Sequence, residues 1–437
     1  MRQGEAVLEA SLPPSDDAGA VTPRATASQA VMVAILSFII MVIDGYDIGA
    51  MPIVVPHLAP LWGVEHAAFG AALSAVVMGL GVGAFLFAPL GDWLGRRTTT
   101  VGALLIVSFA TMATGWSQTV EELFWWRLLT GTALGTCLPN VLAILAQVVS
   151  PKRRARAITI VGCGIPVGAA GAGLIVPNIM AARGWEATFI LPAMCMFAIT
   201  AFIALYLYRV PMPDGPQQAV GQKKWHWTDI PILAPLGRKY LLRTAIFSGL
   251  FCFNALSMFM LSSWLPTVVQ QSGFSLENAA LMASLVQIGG LVGGLILATQ
   301  IDRHRTIGAL LVGYALVSLS LLALTILAPQ VVSWGILMLL IGMGVGGAHI
   351  ALTAVAANIY PIAMLSAAIG LAITVARLGA MAGPMVGAAL VAGGFPASVF
   401  FLALLVPVGL CILCVLAFAW ARLASGPADA APLKPEE

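Results

Sequence analysis

The chain has 437 residues, of which 60% are hydrophobic and only 9% charged, with a formal net charge of +3. Soluble domains carry about 25% charged residues, so this composition excludes an ordinary water-soluble enzyme or binding module. The small positive balance is no nucleic-acid footprint; the placement of the positive residues carries the information.

Residues 1–28 are polar, and no basic segment leads from them into an apolar core with a cleavage site, so they read as a disordered cytoplasmic tail. Apolar runs then predict twelve membrane-crossing helices, numbered here as spans 1 to 12: 29–55, 67–90, 98–117, 119–149, 157–181, 186–208, 241–270, 276–301, 307–328, 332–360, 367–391 and 396–421. Each suffices to cross a hydrocarbon core about 30 Å thick at about 1.5 Å per residue. A polar, Pro-containing cytoplasmic loop at 210–240 divides a first half (29–209) from a second (241–421), and 422–437 forms a cytoplasmic C-terminal tail. The expected fold class is an all-α membrane protein with twelve transmembrane helices in two pseudo-symmetric six-helix bundles.

The six cysteines (Cys137, Cys163, Cys195, Cys252, Cys411 and Cys414) lie inside apolar runs and read as small packing residues. The Cys411-xx-Cys414 spacing lacks neighbouring His or Cys, so neither a metal nor a disulfide framework is implied. Of the 21 Lys and Arg residues, all but Arg183 and the intramembrane Arg127 and Arg377 fall on one side of the predicted bundle. Positive residues resist translocation, which places both termini and the central loop in the cytoplasm and the chain in the inner membrane.

The two halves share a loop. Gly91-Asp92-Trp93-Leu94-Gly95-Arg96-Arg97 follows span 2, and Gln300-Ile301-Asp302-Arg303-His304-Arg305 follows span 8, the second span of the second half. An acid-then-basic loop at corresponding places suggests a duplicated six-helix unit, an architecture of transporters.

The loop Gly91-Asp92-xx-Gly95-Arg96-Arg97 resembles the signature of the major facilitator superfamily. Asp44-Gly45-Tyr46-Asp47 in span 1 and Arg127-xxx-Gly131-xxx-Gly135-xxx-Pro139-Asn140 in span 4 resemble its aromatic acid–proton symporter family. Tyr360-Pro361 at the end of span 10 and Arg377-Leu378-Gly379-xxx-Gly383-Pro384 in span 11 fit the same pattern. The resemblance implies a monomeric carrier in the lipid bilayer, with a small aromatic organic anion as substrate. The proton serves as coupling ion, and no other cofactor, metal or nucleic acid is involved. It also implies that Asp92 and Arg96, turned by Gly91 and Gly95, latch the inner ends of the helices in one state, with Asp302 and Arg303 as the second-half counterpart. Leu365 stands where the family has a basic residue, and His349 where an amide is more usual. The stretch from Gly162 to Gly173 lacks the adjacent Gly-Pro pair of antiporters, which favours symport.

Ionisable residues inside the spans are few: Asp44, Asp47, Arg127, His349 and Arg377. A full charge near a helix centre costs about 2.5–3.5 kcal/mol on insertion scales, so functional placement is the default. Asp44 and Asp47 are three residues apart and share a helix face, where a proton can be taken up and released. Asp47 and Arg127 lie at matching depths, roughly 10 Å from the outer ends of their spans, so a contact is allowed; a purely structural ion pair is the competing reading. These three are the proton-coupling candidates. Arg377, near mid-membrane, can grip a carboxylate through two parallel hydrogen bonds, with His349 at similar depth. Tyr46 and Trp264 could wall an aromatic ring, and Asn254, Asn140 and Gln287 could hydrogen-bond its substituents. The glycines of span 5 (162–173), with Gly342, Gly344, Gly346 and Gly347 of span 10, read as rocking interfaces.

The expected function is proton-coupled uptake of a small aromatic carboxylate such as a hydroxybenzoate. The alternatives are a sugar or aliphatic-acid symporter, a drug or metabolite exporter, and, more distantly, a transporter-like sensor. No HExxH, P-loop or paired-His motif supports an enzyme.

Overall fold

A computed structural model of the chain describes residues 26–210, 236–237, 240–303, 305–357, 359–360 and 362–424. Most of both predicted tails and of the central loop lies outside the described residues. Within them the protein is helical and contains no strand. The spans are Ala27–Trp62, His66–Trp93, Arg96–Thr114, Val120–Val148, Arg156–Arg183, Ala187–Leu207, Leu241–Gln271, Leu276–Asp302, Thr306–Ile326, Val331–Ala356, Ile362–Ala392 and Ala397–Ala424.

Local chemistry sets the ends of these helices. Thr26 and Gln29 form a reciprocal capping box at the start of span 1, and Gly63, in a left-handed conformation (φ 64°), ends it. Thr119 accepts from the Glu122 amide at the head of span 4, and Ser275 does the same for Asn278 at the head of span 8. Eleven helices are long and apolar enough to cross a membrane by length and composition alone. The twelfth, span 3, has 19 residues and opens on Arg96-Arg97-Thr98-Thr99-Thr100, which lowers its apolarity without shortening it.

Spans 2 and 10 are not regular throughout. Five residues of each, Gly83–Phe87 and Gly342–Gly346, form a π turn. Span 10 therefore departs from the unbroken helix predicted at 332–360. The extra residue of a π turn re-aims the residues beyond it, here the segment carrying His349.

Small residues bring the helix backbones together. Gly79, Gly83, Gly131 and Gly135 form the contact between spans 2 and 4, and a Cβ on any of them would collide with backbone of the other helix. Gly342 and Gly347 meet span 8, and Gly344 meets Gly313 and Val317 of span 9, all within the second half. Gly164 and Gly168 pack on span 1 within the first half. These glycines therefore knit each half together instead of forming the rocking interface expected of them. Of the nine glycines so read, Gly173 packs across the halves, against Ala280 and Ser284 of span 8.

The halves meet toward the end of the bundle away from the Gly91–Arg97 loop, the end that the positive-residue pattern predicts to be the outer one. Ser284 Oγ donates to the Ala170 carbonyl at 2.7 Å, and Ser74 Oγ to the Met381 carbonyl at 3.0 Å. Trp264, wholly buried, donates through Nε1 to the Pro384 carbonyl at 2.8 Å and packs beside Gly70 and Gly387. Trp62 stacks on Phe69 and stands edge-on to Trp185 beside this seam.

Gly173→Ala places a methyl group against the Ala280 carbonyl with no flexible side chain alone to yield, and overpacking of this kind costs about 1–3 kcal/mol. The expected outcome is partial separation of the outer ends. It is read as faster labelling of a cysteine introduced at Ala280, against an unchanged rate in a Gly162→Ala control, where the added Cβ meets open space.

Candidate functional site

Three of the five intramembrane ionisable residues come together in the first half. Arg127 Nη1 donates to Asp47 Oδ1 at 2.6 Å, and Nη2 donates to the Asp47 backbone carbonyl at 3.0 Å. Both side chains are only 3% exposed. The guanidinium thus holds span 1 to span 4 by side chain and by main chain. Gly131 and Gly135, on the turns that follow Arg127, let span 2 close over the same helix. The pair is not saturated: Asp47 Oδ2 and Arg127 Nε are buried without a hydrogen-bond partner.

Asp44, one turn from Asp47, is 1% exposed, and its Oδ1 has no partner either. The fields of Asp47, Arg377 and Arg127 all act on it. Two of those groups belong to its own half, whereas Arg377 reaches it from span 11 of the other. Arg377 is half-buried and lies against the first half, its Cδ 3.8 Å from where a Cβ on Gly81 would stand. Both predicted carboxylates and Arg127 therefore form a charge cluster of the first half, and Arg377 acts on it from the second.

The second half contributes a neutral polar chain. Tyr314 on span 9 donates its hydroxyl to Asn254 Oδ1 on span 7 at 3.0 Å. Asn254 Nδ2 stands 3.4 Å from His349 Nδ1 on span 10. The His349 ring is half-buried, with Phe251 edge-on at 5.4 Å, and lies within the field of Arg377. Asn254 and His349 were singled out in the sequence; Tyr314 was not. Its signal was a lone phenol in an otherwise apolar span, since a buried tyrosine hydroxyl requires a partner.

Other predicted site residues stand elsewhere. Tyr46 lies between the two aspartates in sequence, but its hydroxyl donates to the Thr188 carbonyl of span 6 at 3.0 Å, turning the ring into the first half. Asn140 lies near the inner end of span 4. Its Nδ2 donates to the Ala88 and Thr136 carbonyls, and its amide fills the space where a Cβ on Gly91 would be. It joins span 4 to the signature loop. Trp264 belongs to the outer seam, and Gln287 is half-buried on span 8.

At the signature-loop end, exposed Asp92 pairs at 3.1 Å with half-buried Arg96 of its own loop, a solvent-screened geometry of little energetic consequence. Gly95, at φ 90°, makes the turn between them. Arg97 donates to the Val210 carbonyl and ties this loop to the end of the first half. Arg303 is exposed, and the Asp302 side chain lies outside the described residues. A groove of about 560 Å³ among spans 8, 9 and 10, with Ile296, Leu297, Val312 and Leu316 in its walls, opens on the flank and holds none of the central charges.

A twelve-helix bundle in two halves, with charges enclosed between them, is the build of a membrane transporter and not of an enzyme. Residues 35–377 match the Major Facilitator Superfamily, and the chain belongs to that superfamily. It is 30% identical over 407 residues to the 4-hydroxybenzoate transporter PcaK of Pseudomonas putida, covering 86% of this chain and 90% of that one. The gallate transporter of the same species is 27% identical over 423 residues (92% and 94%), and the 3-(3-hydroxy-phenyl)propionate transporter of Escherichia coli 28% over 382 residues (85% and 90%). Among solved structures, a bacterial homolog of the human lysosomal transporter Spinster, inward-facing and unoccupied, superposes with a TM-score of 0.71 at 15% identity, over 90% of this chain and 98% of that one. That likeness concerns the fold.

Removing one member of a buried ion pair strands the other and costs about 3–5 kcal/mol, whereas replacing both by apolar groups costs far less. Asp47→Ala and Arg127→Leu are each expected to lower the melting temperature of the detergent-solubilised protein markedly. The double variant is expected to melt closer to wild type than either single one. Additive losses would show that the two groups act independently.

Proposed function

We propose that the protein carries a small aromatic carboxylate such as a hydroxybenzoate into the cell together with a proton, by alternating exposure of a central site. It does so in the inner membrane, with both termini in the cytoplasm. The observation that carries this reading is the placement of Asp44: a buried carboxylate with an unpartnered oxygen, in the fields of Arg127 of its own half and Arg377 of the other. A buried acid in that position exchanges charge for neutrality by binding a proton, and the field at Arg377 changes when it does.

In the proposed cycle a proton arriving from outside neutralises Asp44. Arg377, no longer opposed by that carboxylate, takes the carboxylate of the substrate in a bidentate grip. The outer seam around Trp264, Ser74 and Ser284 then closes, as it is here, and the inner ends part. Among the described residues the Asp92 side chain engages Arg96 of its own loop, which suits an inner latch that has let go. Departure of the anion restores the pull of Arg377 on Asp44, which returns its proton to the cytoplasm. The names of the relatives support the aromatic acid as cargo, and the charge centre supports the coupling.

The test separates accumulation from exchange. In proteoliposomes, Asp44→Asn is expected to abolish uphill uptake of labelled 4-hydroxybenzoate driven by an inward proton gradient while leaving counterflow exchange measurable. Arg377→Ala is expected to remove both, since a lost charge-assisted grip costs about 1.5–3 kcal/mol, or tenfold and more in apparent affinity. If Asp44→Asn and Asp47→Asn both still concentrate the substrate, proton coupling does not run through span 1.

A further inference from the structure

The chain Tyr314–Asn254–His349 crosses three helices and has no part in the proposed proton cycle. Tyr314 is 1% exposed and Asn254 wholly buried, so neither can exchange its partner for water. A phenol has one proton to give, and Tyr314 gives it to Asn254 Oδ1. The amide then presents its NH₂ end to His349 Nδ1. An NH₂ group only donates, so Nδ1 carries the lone pair; a ring with protons on both nitrogens would set two donors face to face. The proton of the imidazole is thereby assigned to Nε2, the nitrogen remote from the relay. Phe251, edge-on at 5.4 Å and 64°, holds the ring plane. His349 keeps part of its surface free where its two relay partners do not, and it shares the field of Arg377.

Resting on the aromatic-carboxylate reading, we infer that Tyr314 is a positioning residue that, through Asn254, makes His349 a fixed hydrogen-bond donor, so that the site selects aromatic carboxylates whose ring substituent carries an acceptor oxygen. With the carboxylate on Arg377, the far side of the ring meets the imidazole N–H. A hydroxyl oxygen accepts from it. An aromatic amine, whose lone pair is delocalised into the ring, offers a donor to a donor and leaves a buried group unpaired. The opposite amide orientation would make Nε2 an acceptor and reverse the preference, but it would cost the Tyr314 hydroxyl its amide acceptor and leave its proton to Cys411 Sγ, a weaker one.

The experiment compares benzoate, 4-hydroxybenzoate and 4-aminobenzoate, the last two nearly equal in size, as substrates of the full-length protein in proteoliposomes. Wild type is expected to take 4-hydroxybenzoate with a KM at least about tenfold below that of 4-aminobenzoate, the consequence of one unpaired buried donor. Tyr314→Phe is expected to shrink that ratio to threefold or less, on the order of what a freely flipping amide allows. Equal KM values for the two in wild type, or an undiminished ratio in Tyr314→Phe, would overturn the inference. Should that variant not fold, ¹⁵N NMR of histidine-labelled wild type, assigned against His349→Gln, reads the tautomer directly: a proton on Nε2 supports the inference and a proton on Nδ1 refutes it. Failure of all three compounds to be carried would sink the aromatic-carboxylate reading instead, and the NMR result would still decide the relay.

Discussion

A guanidinium and a carboxylate 2.6 Å apart, each side chain 3% exposed, sit at the middle of the first bundle. Neither charge could be left there alone, because an isolated ion in the hydrocarbon layer is costly enough to oppose insertion of its helix. The pairing fixes more than charge. Arg127 also takes the Asp47 main-chain carbonyl, so it sets both the rotation of span 1 and its height against span 4. That rotation turns Asp44, one turn away, toward the boundary between the halves. Among the described residues, Asp47 Oδ2 and Arg127 Nε have no hydrogen-bond partner.

The two halves divide the work between them. The first holds both aspartates and Arg127, and spans 1, 2, 4 and 5 are drawn close by glycines that no side chain could replace. The second is neutral at the same place apart from Arg377, and its polar side chains form a hydrogen-bonded chain instead of an ion pair. Arg377 is therefore the second-half charge that faces the first half, against Gly81 and within reach of Asp44. Any relative movement of the bundles changes its distance to that carboxylate. Interactions within each half are left intact.

The features legible in the sequence are those that one-dimensional physics governs. Span number is a matter of length and composition, and it appears as twelve helices among the described residues. The Asp47–Arg127 contact was allowed by counting residues from the ends of two spans, because depth in a membrane is linear in residue number. Rotation about the helix axis is not linear in that way. Tyr46 was bracketed by two aspartates yet turns to span 6; Asn140 was grouped with substrate contacts yet fills the space beside Gly91; Trp264 was read as a wall for substrate and closes the outer seam. Span 10 adds a second reason. Its π turn at Gly342–Gly346 shifts the phase of the helix beyond it, so no regular helical wheel would have aimed His349 toward Asn254. Tyr314 was missed because its importance lies in a partner 60 residues away.

The proposed coupling needs no moving wire between proton and cargo. In that coupling Asp44 and the substrate carboxylate compete for one cation, Arg377, across the boundary between the halves. Protonation of Asp44 removes one competitor and thereby favours the other, and by linkage the bound anion holds the proton in place for as long as it stays. The requirement on the fold is then modest: Asp44 must be denied any permanent partner of its own. Span 1 meets it by committing Arg127 to Asp47, with a second bond to the main chain to keep it there. The ion pair that stabilises the first bundle is, on this view, also what keeps the neighbouring carboxylate available.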